Sequence, residues 1–253
     1  MPKKKKKQLK TRGELLFGIQ PVFTALQQRK RQLDQLFIKQ DTNSSERLSE
    51  ILLLAEAINI PVSVVPVNTL TEMCPAAVHQ GVVLHCGPLS FSSMQNLRKI
   101  TETGYPLIIA LDQIEDPHNL GAIIRSCGFF GVSAVVVPRD HSSSLTPVVS
   151  KASAGVAEWF PVVSVPNLAR FLQEQKKNGY WVIGLDGASP DSLDDLSKDR
   201  PLILVLGNEG RGIRRLSRKH CDWLVRIPGN PDVSSLNVSN AAAVTLFHLQ
   251  TPA

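Results

Sequence analysis

Closely spaced cysteines are missing from this chain. Cys74, Cys86, Cys127 and Cys221 stand far apart and form no CxxC pair, which speaks against a zinc knuckle or a disulfide framework and fits a reducing compartment. Aromatic residues make up only 6% of the sequence. No apolar run approaches the ~20 residues of a membrane-spanning helix. The amino terminus lacks the apolar stretch of a secretory signal and the amphipathic Arg/Ser pattern of a transit peptide. His79 and His85 have no other ligand types around them in sequence, so no metal is expected. Two phosphate-binding signatures are absent as well. GNEGRG (207–212) has neither the G-x-G-x-x-G nor the G-x-x-x-x-G-K-[ST] spacing, so the dinucleotide fold and the P-loop lose their main support.

Basic charge is present but unevenly placed. The chain of 253 residues has a formal charge of +6, and MPKKKKKQLKTR (1–12) carries six Lys, one Arg and no acid, which leaves the remainder at −1. The opening segment reads as a solvated, disordered basic tail, and such a tail can also tether a protein to phosphates through counterion release. With 43% hydrophobic residues, the rest can fill one large or two modest cores.

From Gly18 onward helices and strands alternate. Pro21 suits a first helical turn, with Val22, Phe23 and Leu26 at helical spacing. LFIK (36–39), PVSVV (61–65) and GVVLHC (81–86) read as strands, with a helix from Ser45 to Ala57 among them, so a small α/β domain is expected over 13–88. The Ser-rich segment 89–104 reads as a linker. Over 105–253 the runs LIIAL, AVVV, WVIGL, LILVL and WLVRI are continuously apolar, the mark of strands buried on both faces of a mainly parallel sheet. Ligands of such sheets lie beyond the carboxyl ends of the strands. Those ends run here into DQIEDPHNLGA (112–122), DGAS (186–189), GNEGRG and PGNPDVSSLN (228–237). The last of these offers more hydrogen-bonding side chains than one helix start needs, since a single oxygen suffices as cap. Asn119, Arg125, Glu209, Ser235 and Asn237 each read alone as caps or solvated surface groups, yet all fall at the same predicted sheet edge.

DPHNLGAIIRS (116–126), LVLGNEGRGI (204–213) and Ile227-Pro228 followed by SSLNVS (234–239) occur in this order. On these blocks the chain resembles the TrmH-type branch of the SPOUT superfamily, the ribose 2′-O-methyltransferases of RNA. Within that branch it is most similar to enzymes acting on a guanosine of large-subunit ribosomal RNA. The resemblance implies a small ribosomal-protein-like RNA-binding domain followed by a SPOUT methyltransferase domain with a carboxyl-terminal trefoil knot. It also implies a homodimer with S-adenosylmethionine held near the dimer interface, and ribosomal RNA as substrate. A transfer RNA methyltransferase, or a non-catalytic ribosome-assembly factor of the same fold, stands as the alternative.

Carried over by resemblance, Leu185, Asp186, Gly187, Leu206, Gly207, Asn208, Gly210, Ile227, Ser235 and Leu236 are expected to hold the cofactor. Arg125 is expected as the catalytic arginine, as proton acceptor or as cationic clamp, beside Asn119, Glu209, Ser235 and Asn237. Arg29, Lys30 and Arg31, together with Arg211 in RGIRRLSRK (211–219), form two basic clusters expected to bind RNA; without interleaved aromatics they point to phosphate and shape contacts. Gly229 and Pro231 depart from the Met and Gly usual in the family's adenine loop. MCPAAVHQGV (73–82) and LTPVVSKASAG (145–155) resemble mitochondrial members, so a mitochondrial location is expected, with the bacterial cytoplasm as alternative.

Overall fold

Leu16, Leu36 and Leu84 come from three separate segments of the first ninety residues, and all are fully buried. They stand side by side on neighbouring strands of a four-stranded sheet. The computed structural model describes residues 13–40, 46–100, 106–196, 200–230, 232–233 and 235–250, which fall into two compact units, Met1–Pro88 and Leu89–Ala253. The basic tail, Ser45 and Pro231 lie outside the described residues.

The first unit runs β1 (Glu14–Phe17), α1 (Ile19–Gln28), β2 (Leu33–Lys39), α2 (Glu46–Ala57), β3 (Val62–Val65), α3 (Val67–Met73) and β4 (Val82–Cys86). The strands lie in the order β1-β4-β2-β3, with β4 antiparallel to both neighbours and β2 parallel to β3. Alternation along the strands divides the apolar residues between two faces. Leu16, Leu36 and Leu84 meet Val22 and Leu26 of α1 and Ile51 of α2, while Val83 meets Leu70 of α3 on the other side. Gly18 joins β1 to α1 at φ 95°, a conformation that a side chain would strain.

The basic cluster after α1 is divided by this fold. Arg29 closes the helix in the left-handed conformation and is exposed, as is Lys30. Arg31 is not a surface cation, which corrects its assignment to RNA. Its side chain is 0% exposed, and its guanidinium donates to the Gly87 carbonyl at 3.3 Å and to Glu14 Oε2 at 3.2 Å. A long side chain whose head finds a carboxylate and a carbonyl inside the fold gains more there than in water only if it stays paired.

The second unit contains α4 (Met94–Ile100), β5 (Leu107–Asp112), α5 (Pro117–Phe129), β6 (Ala134–Pro138), α6 (Pro147–Ala152), β7 (Val162–Val165), α7 (Leu168–Lys177), β8 (Trp181–Leu185), β9 (Leu202–Gly207), α8 (Arg215–Arg218), β10 (Trp223–Val225) and α9 (Val238–Gln250). All six strands are parallel, in the order β10-β8-β9-β5-β6-β7. Leu120, Ile123, Val149 and Leu246 of α5, α6 and α9 cover one face, and Leu97, Leu168 and Phe171 of α4 and α7 cover the other. Every residue of β5 is therefore buried, which is why its sequence shows no alternation.

The segment read as a linker is, over 89–100, part of this second unit. Leu89 and Leu97 are buried in its two cores, and the Ser92 amide donates to the Val162 carbonyl at 2.7 Å. Its few apolar residues are spaced to serve both cores in turn and show no helical stripe. Strand β7, not expected from the sequence, completes the sheet edge.

Arg31→Ala should lower stability by about 3 kcal/mol, the cost of stranding buried partners, seen as a lower urea midpoint. Arg29→Ala should leave the midpoint unchanged. An Arg31→Ala variant of native stability would contradict this placement.

Candidate active site

Helix α5 begins with its cap already supplied. Asp116, before Pro117, accepts from the His118 amide at 2.9 Å. Asn119 is thus not the cap that its position near the first turn led one to expect, and its side chain is free for other partners. Its Nδ2 donates to Glu209 Oε1 at 2.9 Å, and its Oδ1 accepts from Asn237 Nδ2 at 3.0 Å. Asn237 Nδ2 also donates to Glu209 Oε1 at 2.6 Å. Three residues separated by up to 118 positions close one ring.

Asn237 does two things with one amide. Its Oδ1 caps α9 by accepting from the Ser239 amide at 2.9 Å and the Ser239 hydroxyl at 2.6 Å. Its NH2 group faces the other way, into the ring. Among the hydrogen-bonding side chains before α9, Asn237 is accounted for in this way: one oxygen serves the helix, and the rest of its amide joins three loops.

Beside the ring lies a cavity of about 960 Å³ at the carboxyl ends of β8 and β9 and the segment after β10, within the range of small-molecule sites. Leu185, Asp186, Gly187, Leu206, Gly207, Asn208, Ile227, Ser235 and Leu236 line it, as do Glu209 and Arg211. Gly210 does not; its amide donates to Asn208 Oδ1 at 3.0 Å within the loop. Gly229 lines the cavity with open space around its α-carbon, while Pro231 lies outside the described residues.

Loop 208–212 is folded tightly. Asn208 and Gly212 exchange backbone hydrogen bonds at 3.2 and 2.8 Å, and Asn208 Nδ2 reaches the Gln113 carbonyl at 3.1 Å. A β-carbon on Gly207 would lie 2.1 Å from the Gly212 carbonyl carbon, so this position accepts no side chain. Asp112, at the end of β5 beside Gly207, is fully buried and accepts from the Arg214 amide at 2.9 Å and from its Nε at 2.6 Å.

This pairing and another divide the second basic cluster. Arg214 is held by Asp112, and Arg218 by Asp186 on the cavity wall. Arg218 and Arg226 were not expected in the site. Arg226 fixes the loop above β10 by donating to the Ser189 and Pro190 carbonyls. Only the opposite charges of RGIRRLSRK and of Asp112 and Asp186 could have hinted at these pairs, and they do not say which cation meets which acid.

Arg125 is not brought to the cavity by its own chain. It is exposed, does not line the cavity, and makes no hydrogen bond or ion pair among the described residues. Six residues along α5 place it about 9 Å further from the helix start than Asn119. Cys221 packs near Gly184, and burial, with Asp222 next, pushes its thiol up to about 12. It therefore holds its proton at neutral pH and offers no thiolate. Among the described residues no group of three or more His, Cys, Asp or Glu is placed to hold a metal.

A doubly covered parallel sheet with a cavity at its strand ends, walled by glycine turns and an amide–carboxylate ring, defines a small-molecule-binding α/β enzyme domain. Residues 106–247 match the SpoU rRNA Methylase family and residues 15–92 match the domain described as RNA 2′-O ribose methyltransferase substrate binding, so the chain belongs to the SpoU rRNA methylase family. It is 40% identical over 237 residues to the 23S rRNA (guanosine-2′-O-)-methyltransferase RlmB of Pseudomonas putida, covering 92% of this chain and 94% of that one. The RlmB of Nitrosomonas europaea is 37% identical, covering 94% and 91%. Among solved structures, the SpoU methyltransferase AviRb of Streptomyces viridochromogenes in complex with AdoMet superposes with a TM-score of 0.78 at 23% identity, covering 94% of this chain and 89% of that one. An AdoMet-bound rRNA methyltransferase of Sinorhizobium meliloti gives 0.77 at 22%, covering 94% and 87%. At these identities the structures speak for the fold. The RlmB relatives come from bacteria, and they lend no support to the expected mitochondrial location.

Asn237→Asp keeps an oxygen to cap α9 but sets a carboxylate against Glu209. Far-UV circular dichroism should be unchanged while methyl transfer falls by at least about tenfold, the scale of one lost hydrogen bond to a charged group. Gly207→Ala should weaken S-adenosylhomocysteine binding by about 1–3 kcal/mol in calorimetry; native affinity would mean the turn is not as tight as described.

Proposed function

We propose that this chain uses S-adenosylmethionine to methylate the ribose 2′-oxygen of a guanosine in 23S ribosomal RNA. The observation that carries the reading is the union of the strand-end cavity with the ring of Glu209, Asn119 and Asn237 in a chain 40% identical to RlmB over nearly its full length.

The cavity fits the cofactor on its own terms. Glycine and backbone around Leu206–Gly207, Ile227–Asn230 and Ser235–Leu236 would provide amides and carbonyls for a nucleoside edge, and Gly207 could not carry a side chain. Glu209 places a carboxylate in a wall that would face a sulfonium and an amino group, while the carboxylate of Asp186 is held by Arg218. When bound, the cofactor supplies a methyl group already activated for transfer to oxygen. Asn119 and Asn237, locked by Glu209, hold one geometry for a hydroxyl and need not reorganise as charge develops. The planar guanidinium of Arg125 acts as a fixed cation for the developing alkoxide.

Arg125 lines no cavity in its own chain, which supports a homodimer in which a second copy supplies it. The same helices carry an exposed apolar patch: Phe129 is 83% exposed, Phe247 63%, and both stack edge-on against Phe130. The trefoil knot belongs to this reading, supported by the packing of the carboxyl-terminal helix α9 on α5. The bacterial relatives favour the bacterial cytoplasm as location.

The test is transfer of labelled methyl from S-adenosylmethionine to 23S rRNA fragments, with ribose methylation mapped in cells lacking the protein. Arg125→Lys should lose most turnover and keep S-adenosylhomocysteine binding. Mixing Arg125→Lys with Gly207→Ala chains should restore activity if the site spans two copies. A wild-type chain showing no saturable binding of S-adenosylhomocysteine would identify a binding-only assembly factor instead.

A further inference from the structure

Five cations lie in or just after the tight loop that follows β9: Arg211, Arg214, Arg215, Arg218 and Lys219. The fold uses two of them internally, since Arg214 is held by buried Asp112 and Arg218 by Asp186. Arg226, another cation of the cavity wall, is held by two carbonyls. Arg211 also lines the cavity, is exposed, and has no hydrogen-bond or ion-pair partner among the described residues. It stands two residues from Glu209, in the turn closed by Asn208 and Gly212, so its backbone is anchored while its guanidinium is uncommitted.

We infer that Arg211 is the positioning residue for the RNA backbone, pairing with the phosphodiester beside the target ribose. This rests on the reading under Proposed function and adds a contact to it. Inside a polynucleotide a 2′-oxygen always has a phosphodiester as neighbour. A cavity wall that presents that oxygen to the Glu209 ring must therefore accept an anion within a few ångströms. A planar guanidinium on a short, pinned loop matches two phosphate oxygens at once, which a lysine does not. Of the three arginines that line the cavity, Arg218 and Arg226 are spent on holding loops, and Arg215 and Lys219 do not line it, so the patch that reads as continuous in sequence reduces at the cavity wall to one available arginine.

The experiment measures binding of a 23S rRNA fragment to the full chain by filter retention across a salt series, alongside calorimetry with S-adenosylhomocysteine. Arg211→Gln should weaken RNA binding roughly tenfold and flatten the slope of log affinity against log salt by about one, with S-adenosylhomocysteine affinity unchanged. Arg211→Lys should recover part of the affinity and the whole slope. Arg170→Gln, on the exposed face of α7, controls for loss of one charge and should change neither. RNA affinity and slope unaltered in Arg211→Gln would overturn the assignment, as would a primary loss of S-adenosylhomocysteine binding, which would make Arg211 a carboxylate anchor. If the wild-type chain binds RNA but not S-adenosylhomocysteine, the methyltransferase reading fails while the RNA measurements still decide the role of Arg211.

Discussion

One oxygen atom, Glu209 Oε1, organises the site. It accepts from Asn119 at the start of α5 and from Asn237 at the start of α9, and Asn237 reaches Asn119 as well. Each hydrogen bond involving the carboxylate is charge-assisted, and together they tie the loops after β5 and β9 to the segment before α9. Removing any one member would leave the others with unmatched donors or acceptors near a cavity wall, which is why the three behave as a unit. A site built from loops gains in this way the rigidity that loops alone lack.

The sheet beneath explains why the chemistry is confined to one edge. Both faces are covered by helices, so the strands, apart from Ser164 of the edge strand β7, carry apolar side chains until their carboxyl ends. Parallel direction puts all those ends together. Polar residues that would be costly in the interior collect there, and the buried pair of Asp112 and Arg214 shows the limiting case, a carboxylate at the last position of a strand matched by backbone and side chain together.

The three short blocks that carry the resemblance name loops that the fold brings around one cavity, because glycine turns and strand ends are local features with local signatures. Gly207, Asn208 and Ser235 were recognised from a few neighbours each. Charge pairing was not legible in the same way. Arg31 looked like one of three equivalent surface cations, and Arg214 and Arg218 like part of a continuous basic patch; each has a partner dozens of residues away or more. Segment 89–100 was similarly opaque, since its apolar residues serve two cores and leave no periodicity.

The strands marked by apolar runs and the candidate site's position at their ends were determined by the sequence itself, since hydrophobic runs and glycine turns act over a few residues; β7 and the place of segment 89–100 in the second unit were not. Which amide meets which carboxylate, which arginines stay free, and that Arg125 lies outside its own chain's cavity were decided only by the tertiary structure. Hydrogen bonds and ion pairs depend on distances of a few ångströms, and those between remote segments come into being only when the packed sheet brings its ends together.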